Sequence, residues 1–215
     1  NQAEIPAYKF RANVGDEQRI YDAVGSVPQQ MKLMIDFIGG TRSTGDYEEV
    51  LIKLKRYDDL GSLIWFEEPF SAFDFLNYQK LKKTICNTGI CGGEALPSKE
   101  LLQLFDQMGC CDFIQLDACF NINLSQAVLT NFTSKTVIHN WSGPFGTLTN
   151  IILYNMIKPD WFEIPLIEYD FSHCFDSSAG ILSIVKNPYE YFCASKPSAL
   201  KKLQFFEDFD FKWKK

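Results

Sequence analysis

The chain contains 215 residues, carries a formal net charge of -6, and is 46% hydrophobic and 22% charged. This length and composition are typical of one globular domain with a sizeable core. The acidic balance argues against a nucleic-acid-binding protein, which usually presents a basic face. No apolar run approaches the length that a membrane-spanning helix needs, so we expect no membrane partner.

Short apolar runs alternate along the chain with stretches whose apolar residues recur at helical spacing. The predicted strands are 7–12, 33–35, 62–66, 88–91, 113–116, 136–138 and 161–162. The predicted helices are 16–24, 46–55, 77–83, 98–108, 124–132 and 148–156. Asp46 and Ser98 are predicted to cap the second and fourth of these helices.

This alternation predicts βαβ units with parallel strands in an α/β fold. A doubly wound sheet alternates in the same way, so the alternation alone does not choose between that sheet and a barrel. Seven strand runs are present, whereas a closed barrel needs eight strands, so we expect a strand to be missing before Asn1. We treat 1–215 as one domain, with 171–215 as its closing segment.

The cysteine pattern predicts reduced thiols. The chain has seven cysteines, an odd number, and they form no CxxC pair. Most lie in apolar stretches, where cysteine serves as a small buried hydrophobe, and a zinc site would need paired ligands at short spacing. We therefore expect free thiols in a reducing, cytoplasmic environment.

An ionisable residue stands at the carboxyl end of almost every predicted strand. These residues are Lys9, Arg11, Asp36, Glu67, Glu94, Asp117, His139 and Glu163. In parallel α/β folds the carboxyl ends of the strands form the active-site face. We therefore expect all of these side chains to lie around one opening at the carboxyl ends of the strands.

The three carboxylates Asp36, Glu67 and Glu94 form a candidate metal site. Three anions that converge on one point repel each other unless a cation lies between them. Hard oxygen ligands suit Mg²⁺, or Mn²⁺, rather than zinc. The alternative is that each carboxylate is simply a solvated strand end.

Asp117 and His139 form a candidate general base. They end adjacent strand runs, where a carboxylate can orient an imidazole and raise its basicity. The alternative is a structural histidine with satisfied hydrogen bonds.

Five segments carry a resemblance to a known family. They are Leu33–Gly40, Trp65–Pro69 with its Glu-Glu-Pro motif, Gly92–Leu96, Phe113–Asp117 and Ile138–Trp141. In order and spacing this set resembles the mandelate racemase-like branch of the enolase superfamily over about residues 7–170. The resemblance implies a (β/α)8 barrel of the TIM type in which Asp36, Glu67 and Glu94 bind the metal.

The resemblance also implies roles for the remaining residues. Lys9-Phe10-Arg11 resembles the family's Lys-x-Lys motif, and Glu163 matches a glutamate that donates a hydrogen bond to the developing enolate. In this chemistry the metal binds a substrate carboxylate and a base removes the proton α to it, while positive charge stabilises the oxyanion. Lys9 would add charge at the same oxygens.

One departure from the family pattern decides between activities. Arg11 stands where a catalytic lysine often lies, and arginine stays protonated near neutral pH. A racemase or epimerase needs a base on each face of the α-carbon, and only His139 remains. A dehydratase can use His139 first as base and then as the acid for a departing β-hydroxyl, so an acid-sugar dehydratase is favoured. Phe120, where cycloisomerase-like and epimerase relatives carry a lysine, argues against those subgroups.

Other departures support a further alternative, a catalytically silent barrel kept for assembly or binding. Ile38 replaces a common asparagine, and Ile122-Asn123 replaces a Gly-Gly pair. We also expect the family's N-terminal capping domain to be missing before Asn1. The expected partner remains a small-molecule carboxylate, and a homo-oligomer through the outer helices is compatible with the resemblance.

Overall fold

The computed structural model describes residues 7–28, 31–37, 47–141, 144–163, 175–176 and 183–184. The chain divides into two compact units, one formed by Ile5–Pro165 and the other by Asn1–Glu4 with Leu166–Lys215. Within the described residues, strands and helices alternate along the first unit, as the sequence predicts. The strands are β1 Ala7–Arg11, β2 Lys32–Asp36, β3 Leu63–Glu67, β4 Gly89–Gly92, β5 Phe113–Leu116, β6 Lys135–Ile138 and β7 Trp161–Phe162. The helices are α1 Glu17–Ser26, α2 Tyr47–Asp58, α3 Phe75–Thr84, α4 Lys99–Gln107, α5 Leu124–Leu129 and α6 Pro144–Ile157.

The second unit contributes one described element pair. Strands β8 (Phe175–Asp176) and β9 (Ser183–Ile184) pair antiparallel. The remainder of the predicted closing segment 171–215 lies outside the described residues.

The seven strands β1 to β7 form one parallel sheet in chain order. The sheet is curled, because groups at its two ends meet: Lys9 on β1 hydrogen-bonds Glu163 directly after β7. The indole rings of Trp65 on β3 and Trp161 on β7 also touch, with centroids 5.7 Å apart. A curled parallel sheet with strands in chain order and alternating helices is consistent with a domain of the TIM-barrel type. The expectations of a missing first strand and capping domain concern segments outside the described residues.

Apolar side chains fill the inside of the curl. One buried residue from each of β2 to β6 enters this cluster, namely Met34, Trp65, Cys91, Phe113 and Val137. The rings of Trp65 and Phe113 lie 5.0 Å apart. Barrel interiors are packed in this way rather than open, so polar chemistry is confined to the ends of the strands.

The helix ends follow local capping chemistry. The hydroxyl of Ser98 accepts a hydrogen bond from the N–H of Leu101 at 3.3 Å, which confirms the predicted cap of α4. Asp46 lies outside the described residues. The predicted helix 124–132 was too long: α5 ends at Leu129, because Thr130 adopts an extended backbone and its hydroxyl bonds the carbonyl of Gln126 instead.

Five cysteines, Cys86, Cys91, Cys110, Cys111 and Cys119, are free thiols, as predicted. Cys174 and Cys193 lie outside the described residues. Among the described helices, none has the length and apolar character needed to cross a bilayer.

Buried aspartates tie the chain together at the amino ends of the strands. Asp58, at the end of α2, accepts backbone N–H groups from Cys86, Asn87 and Thr88 at 2.9, 2.9 and 2.7 Å. Burial alone would raise the pKa of Asp58, but these three donors outweigh it and lower the pKa. The connection before β4 is thereby fixed to the preceding repeat.

Asp106 on α4 has the same role two strands further along the sheet, before β6 instead of β4. Its carboxylate accepts the backbone N–H groups of Thr133 and Ser134 at 2.7 and 2.8 Å, directly before β6. Burial again opposes ionisation, and hydrogen bonds from Ser134 and Thr133 lower the pKa of Asp106 below its ordinary value.

Candidate active site

The carboxyl edge of the sheet holds all the predicted site residues. Lys9 and Arg11 lie on β1, Asp36 ends β2 and Glu67 ends β3, while the other four residues follow β4 to β7 in turn: Glu94, Asp117, His139 and Glu163. Because β1 and β2 pair in parallel with Arg11 opposite Asp36, and β2 and β3 with Asp36 opposite Glu67, these groups lie side by side. The structure thus brings them to one edge, while their roles remain predictions.

Lys9 bridges two carboxylates from distant strands. Its Nζ lies 2.5 Å from Oε1 of Glu67 and 2.7 Å from Oε1 of Glu163. The other oxygen of Glu67 accepts the indole N–H of Trp65 at 3.0 Å. Burial on its own lowers the pKa of Lys9, but the charges of Glu67 and Glu163 outweigh it and raise the pKa above its ordinary value. Lys9 is therefore held as an ammonium ion.

The glutamates of this edge are hard to ionise together. Burial and the charge of Glu163 raise the pKa of Glu67 to about 8, against the opposing effect of Lys9. Burial likewise raises the pKa of Glu94. Burial and the charge of Glu94 raise the pKa of Glu68 to about 7, although its Oε1 accepts the N–H of Ala95 at 3.2 Å.

His139 and Asp117 form the predicted pair. Nδ1 of His139 lies 3.0 Å from Oδ2 of Asp117, and its Nε2 lies 3.2 Å from Oε2 of Glu94. Burial lowers the pKa of His139, but the hydrogen bond with Asp117 and the charge of Glu94 raise it to about 9. Burial opposes ionisation of Asp117, and hydrogen bonds from His139 and the N–H of Cys119 lower its pKa.

Asn150 on α6 holds the loops that carry this pair. Its side-chain amide donates to Oδ1 of Asp117 at 3.2 Å and to the carbonyl of His139 at 3.0 Å. Its carbonyl oxygen accepts the N–H of Ala118 at 2.9 Å. The orientation of the imidazole is therefore fixed from two strands and one helix.

Arg11 lies at the outer rim of the edge. Its Nε donates to Oδ2 of Asp36 at 3.0 Å, and its guanidinium lies 5.2 Å from the ring centroid of Trp141. The side chain of Arg11 is 50% exposed, whereas that of Asp36 is 2% exposed. A guanidinium that is paired and stacked in this way acts as a fixed cation.

Four amide side chains at this edge were missed by the sequence reasoning: Gln115, Asn121, Asn140 and Asn150. All are buried, and they hydrogen-bond the backbone or carboxylates of the predicted site. One signal was present in the sequence, because Gln115 is a lone polar residue in the apolar run 113–116. Among the described residues, Oε1 of Gln115 and Oδ1 of Asn140 are buried and find no hydrogen-bond partner.

The three predicted metal ligands lie at one edge of the sheet, but their side chains are not arranged around a common point. Within the part of the chain that the structure describes, no group of three or more His, Cys, Asp or Glu residues is arranged to hold a metal ion. Instead, Asp36 pairs with Arg11, Glu67 with Lys9 and Glu94 with His139.

The donor set itself fits a hard divalent cation. The described edge holds three cations, Lys9, Arg11 and His139, and six carboxylates, Asp36, Glu67, Glu68, Glu94, Asp117 and Glu163. Burial and neighbouring carboxylates raise the pKa values of Glu67 and Glu94, and interactions with carboxylates raise those of Lys9 and His139 against the effect of burial. Carboxylate oxygens with unbalanced charge are suitable ligands for Mg²⁺ or Mn²⁺.

A curled parallel sheet with its ionisable residues at the carboxyl ends of the strands is consistent with a barrel domain of the TIM type. Residues 2–164 match the family described as enolase C-terminal domain-like, and the chain belongs to this family. The predicted membership of the enolase superfamily is therefore confirmed. No curated protein matches the chain.

Solved structures share the fold. The 3,6-anhydro-D-galactonate cycloisomerase from Zobellia galactanivorans superposes with a TM-score of 0.67 at 23% identity, covering 78% of this chain and 48% of that one. L-Talarate dehydratase from Polaromonas sp. JS666, complexed with Mg and L-glucarate, gives a TM-score of 0.58, 18% identity and coverages of 80% and 47%. L-Talarate/galactarate dehydratase from Salmonella typhimurium LT2, liganded with Mg and L-lyxarohydroxamate, superposes with a TM-score of 0.60 at 20% identity. The match covers 80% of this chain and 43% of that one. The chain thus spans less than half of each of these proteins.

Proposed function

We propose that this chain supplies the barrel of a metal-dependent lyase that removes the proton α to a carboxylate and eliminates water from a sugar acid. The proposal is supported by family membership and carried by one observation, the contact between His139 Nδ1 and Asp117 Oδ2 at 3.0 Å. A carboxylate on Nδ1 fixes the tautomer whose Nε2 lone pair can accept a proton. The substrate is a small-molecule carboxylate with hydroxyls on both the α-carbon and the β-carbon.

His139 performs both proton transfers. Its Nε2 accepts the α-proton, and the C–H electron pair forms a double bond to the carboxyl carbon, which places the negative charge on the carboxylate oxygens as an enolate. The resulting imidazolium gives the proton to the β-hydroxyl. The electron pair of the enolate then forms the Cα–Cβ double bond of an enol, while the β-oxygen departs as water with the C–O electron pair. The enol then tautomerises to a 2-keto-3-deoxy acid. Because the charge of Glu94 raises the pKa of His139, the imidazole becomes a base when that charge is engaged elsewhere.

Elimination is favoured over racemisation because the groups on β1 are cations. The charges of Glu67 and Glu163 overcome the effect of burial and raise the pKa of Lys9, while Arg11 is paired with Asp36. Neither can accept a proton readily, so the described edge offers one base. Both cations can instead stabilise negative charge on the substrate carboxylate.

Mg²⁺ or Mn²⁺, held by Asp36, Glu67 and Glu94, would supply further positive charge to the developing oxyanion. Glu163 has a different part in this arrangement. Its Oε1 accepts hydrogen bonds from Lys9 and Gln115 at 2.7 and 3.1 Å. As a carboxylate it orients Lys9, and donation to the enolate would require its protonated form.

The test is incubation with Mg²⁺ and a panel of aldonic and aldaric acids in D2O, followed by proton NMR. We expect loss of the α-proton signal and formation of a 2-keto-3-deoxy acid. The His139→Gln variant should be slower by about 100-fold or more, and Cys86→Ser, an exposed thiol at the opposite edge, should match the parent. Exchange with inversion and no elimination would instead identify a racemase or epimerase.

A catalytically silent barrel is the second candidate, favoured by the pairing of each candidate metal ligand with a cation of the chain itself. Calorimetry with Mg²⁺ on the parent and on Glu67→Gln distinguishes the two. Binding that the substitution abolishes supports the enzyme. No binding by a chain that circular dichroism shows to be folded supports the silent barrel.

A further inference from the structure

The side chain of Gln115 joins two halves of the carboxyl edge. Its Nε2 donates to Oε2 of Glu94 at 3.3 Å and to Oε1 of Glu163 at 3.1 Å. Glu94 in turn contacts His139, and Glu163 contacts Lys9. Gln115 is fully buried at 0% exposure, while the side chains of its two acceptors, Glu94 and Glu163, are partly exposed.

A carboxamide suits this position better than other side chains. It provides two N–H donors on one nitrogen and carries no charge. A lysine would add a cation next to Lys9, and a carboxylate would add to the negative surplus. Hydrogen bonds to ionised acceptors are stronger than neutral ones, so this neutral group restrains two anions without cancelling their charge.

The backbones of the interacting residues are also tied together. The amide of Asn121 donates to the carbonyls of Gly93, Gln115 and Glu94, at 3.0, 3.4 and 3.5 Å. Gly93 has φ +112, a conformation that favours glycine. Glu94 follows this turn directly. The hydrogen bonds of Asn121 therefore fix the backbone of Glu94 relative to that of Gln115, independently of the contact between their side chains.

We propose that Gln115 is a positioning residue that holds the carboxylates of Glu94 and Glu163 in fixed orientations, so that Glu94 faces a divalent cation and Glu163 faces Lys9. The part that concerns the cation rests on the proposed function. Groups that orient metal ligands in this way typically change metal affinity or activity by 10- to 100-fold when they are removed.

The first test is Mg²⁺ calorimetry on the parent, Gln115→Met and Gln79→Met. Methionine keeps the length of glutamine but donates no hydrogen bond. Gln79 is the matched control, because its Nε2 donates to the carbonyl of Met108 at 2.6 Å, away from the site. We expect Gln115→Met to weaken Mg²⁺ binding by about tenfold or more and Gln79→Met to change it less than twofold. Equal affinity in parent and Gln115→Met would overturn the proposal.

The second test needs no metal. In the parent with EDTA, the side-chain amide protons of Gln115, assigned by their loss in Gln115→Met, should exchange slowly and shift in Glu163→Gln. Gln18, whose exposed amide also donates to a carboxylate, that of Asp22 at 2.8 Å, should exchange rapidly. A slow amide in a parent that binds no Mg²⁺ would refute the proposed function and retain the positioning role. Rapid exchange at Gln115 would refute the positioning role whatever the metal does.

Discussion

Buried carboxylates stand at both edges of the sheet, and the protein surrounds them in opposite ways. At the amino ends, Asp58 and Asp106 accept backbone N–H groups, which overcome burial and lower their pKa values. At the carboxyl ends, burial and neighbouring carboxylates raise the pKa values of Glu67 and Glu68 to about 8 and about 7. All four residues are buried carboxylates. The direction of the pKa shift differs because backbone N–H donors surround the aspartates, whereas other carboxylates surround the glutamates.

The difference separates stability from function. A carboxylate whose charge is satisfied by backbone donors stabilises the fold. Carboxylates that face one another destabilise the fold unless a cation joins them, and perturbed pKa values of this kind are characteristic of functional sites. Three predictions test whether the amino edge stabilises the fold while the carboxyl edge carries the functional site at a cost in stability.

The largest effect is expected at the amino edge. Asp58→Ala leaves the N–H groups of Cys86, Asn87 and Thr88 without their acceptor, so we expect a loss of about 3 to 5 kcal/mol in the free energy of unfolding. Urea denaturation measures it. The control is Asp59→Ala, whose side chain is 60% exposed and pairs with Lys55, and which should leave the midpoint nearly unchanged. Equal effects of the two substitutions would remove the proposed role of this edge.

The pH dependence of the metal-free protein should distinguish the edges. The pKa values of Glu67, Glu68 and His139 are raised to about 8, 7 and 9. The folded state therefore binds more protons than the unfolded state, and this stability is present at low pH and lost as the pH rises from about 5 to 9. We expect a loss of about 3 kcal/mol over that range. The loss is measured as the decrease in the midpoint of urea denaturation between pH 5 and pH 9, with EDTA present to remove metal ions.

The amino edge gives the opposite sign. Because the pKa values of Asp58 and Asp106 are lowered from 3.8, their stabilisation is present above that value and is lost as the pH falls through the folded-state values. Glu67→Gln should therefore flatten the basic limb of the stability profile and leave the acidic limb in place. A midpoint that increases from pH 5 to pH 9 would contradict the assignment.

A smaller effect is expected from glycine substitutions at the two edges. In Gly93→Ala the new Cβ would lie 2.9 Å from Cδ2 of Leu102 and 3.0 Å from Cδ1 of Ile114, at φ +112, so we expect a loss of about 2 kcal/mol. In Gly61→Ala, before β3, φ is +69 and no atom of the part of the chain that the structure describes lies within 4 Å of the new Cβ. Only backbone strain remains there, about 1 kcal/mol. Thermal denaturation of both variants measures the difference, and a larger loss at Gly61 would be inconsistent with it.

Hydrophobic periodicity predicted the elements and the edge on which each ionisable residue lies. All seven predicted strands in the first unit are present, because apolar runs bounded by turns are strong signals for buried parallel strands. Asp117 and His139 are in contact, as expected for residues that end neighbouring strands at the same edge, and their role as a general base stays a prediction. The assignment of metal ligands stays a prediction.

The partners of individual side chains could not be read from the pattern. Lys9 and Glu163 are 154 residues apart in sequence and meet only because the sheet curls. The pairing of Lys9 with Glu67 and of Glu94 with His139 depends on side-chain rotamers, about which periodicity carries no information. The buried amides were overlooked for the same reason, since an asparagine in a loop such as Asn121 resembles any turn residue.

The chain contributes the groups of its candidate site one strand at a time, and this has an evolutionary consequence. Apart from Lys9 and Arg11, which share β1, each of these side chains stands at or just after the end of its own strand. Before β4 and β6 the backbone is fastened at the opposite edge by Asp58 and Asp106. A single substitution at one strand end can therefore alter the chemistry and leave the other positions where they were. Such a scaffold can diversify its reactions stepwise, without passing through an unfolded ancestor.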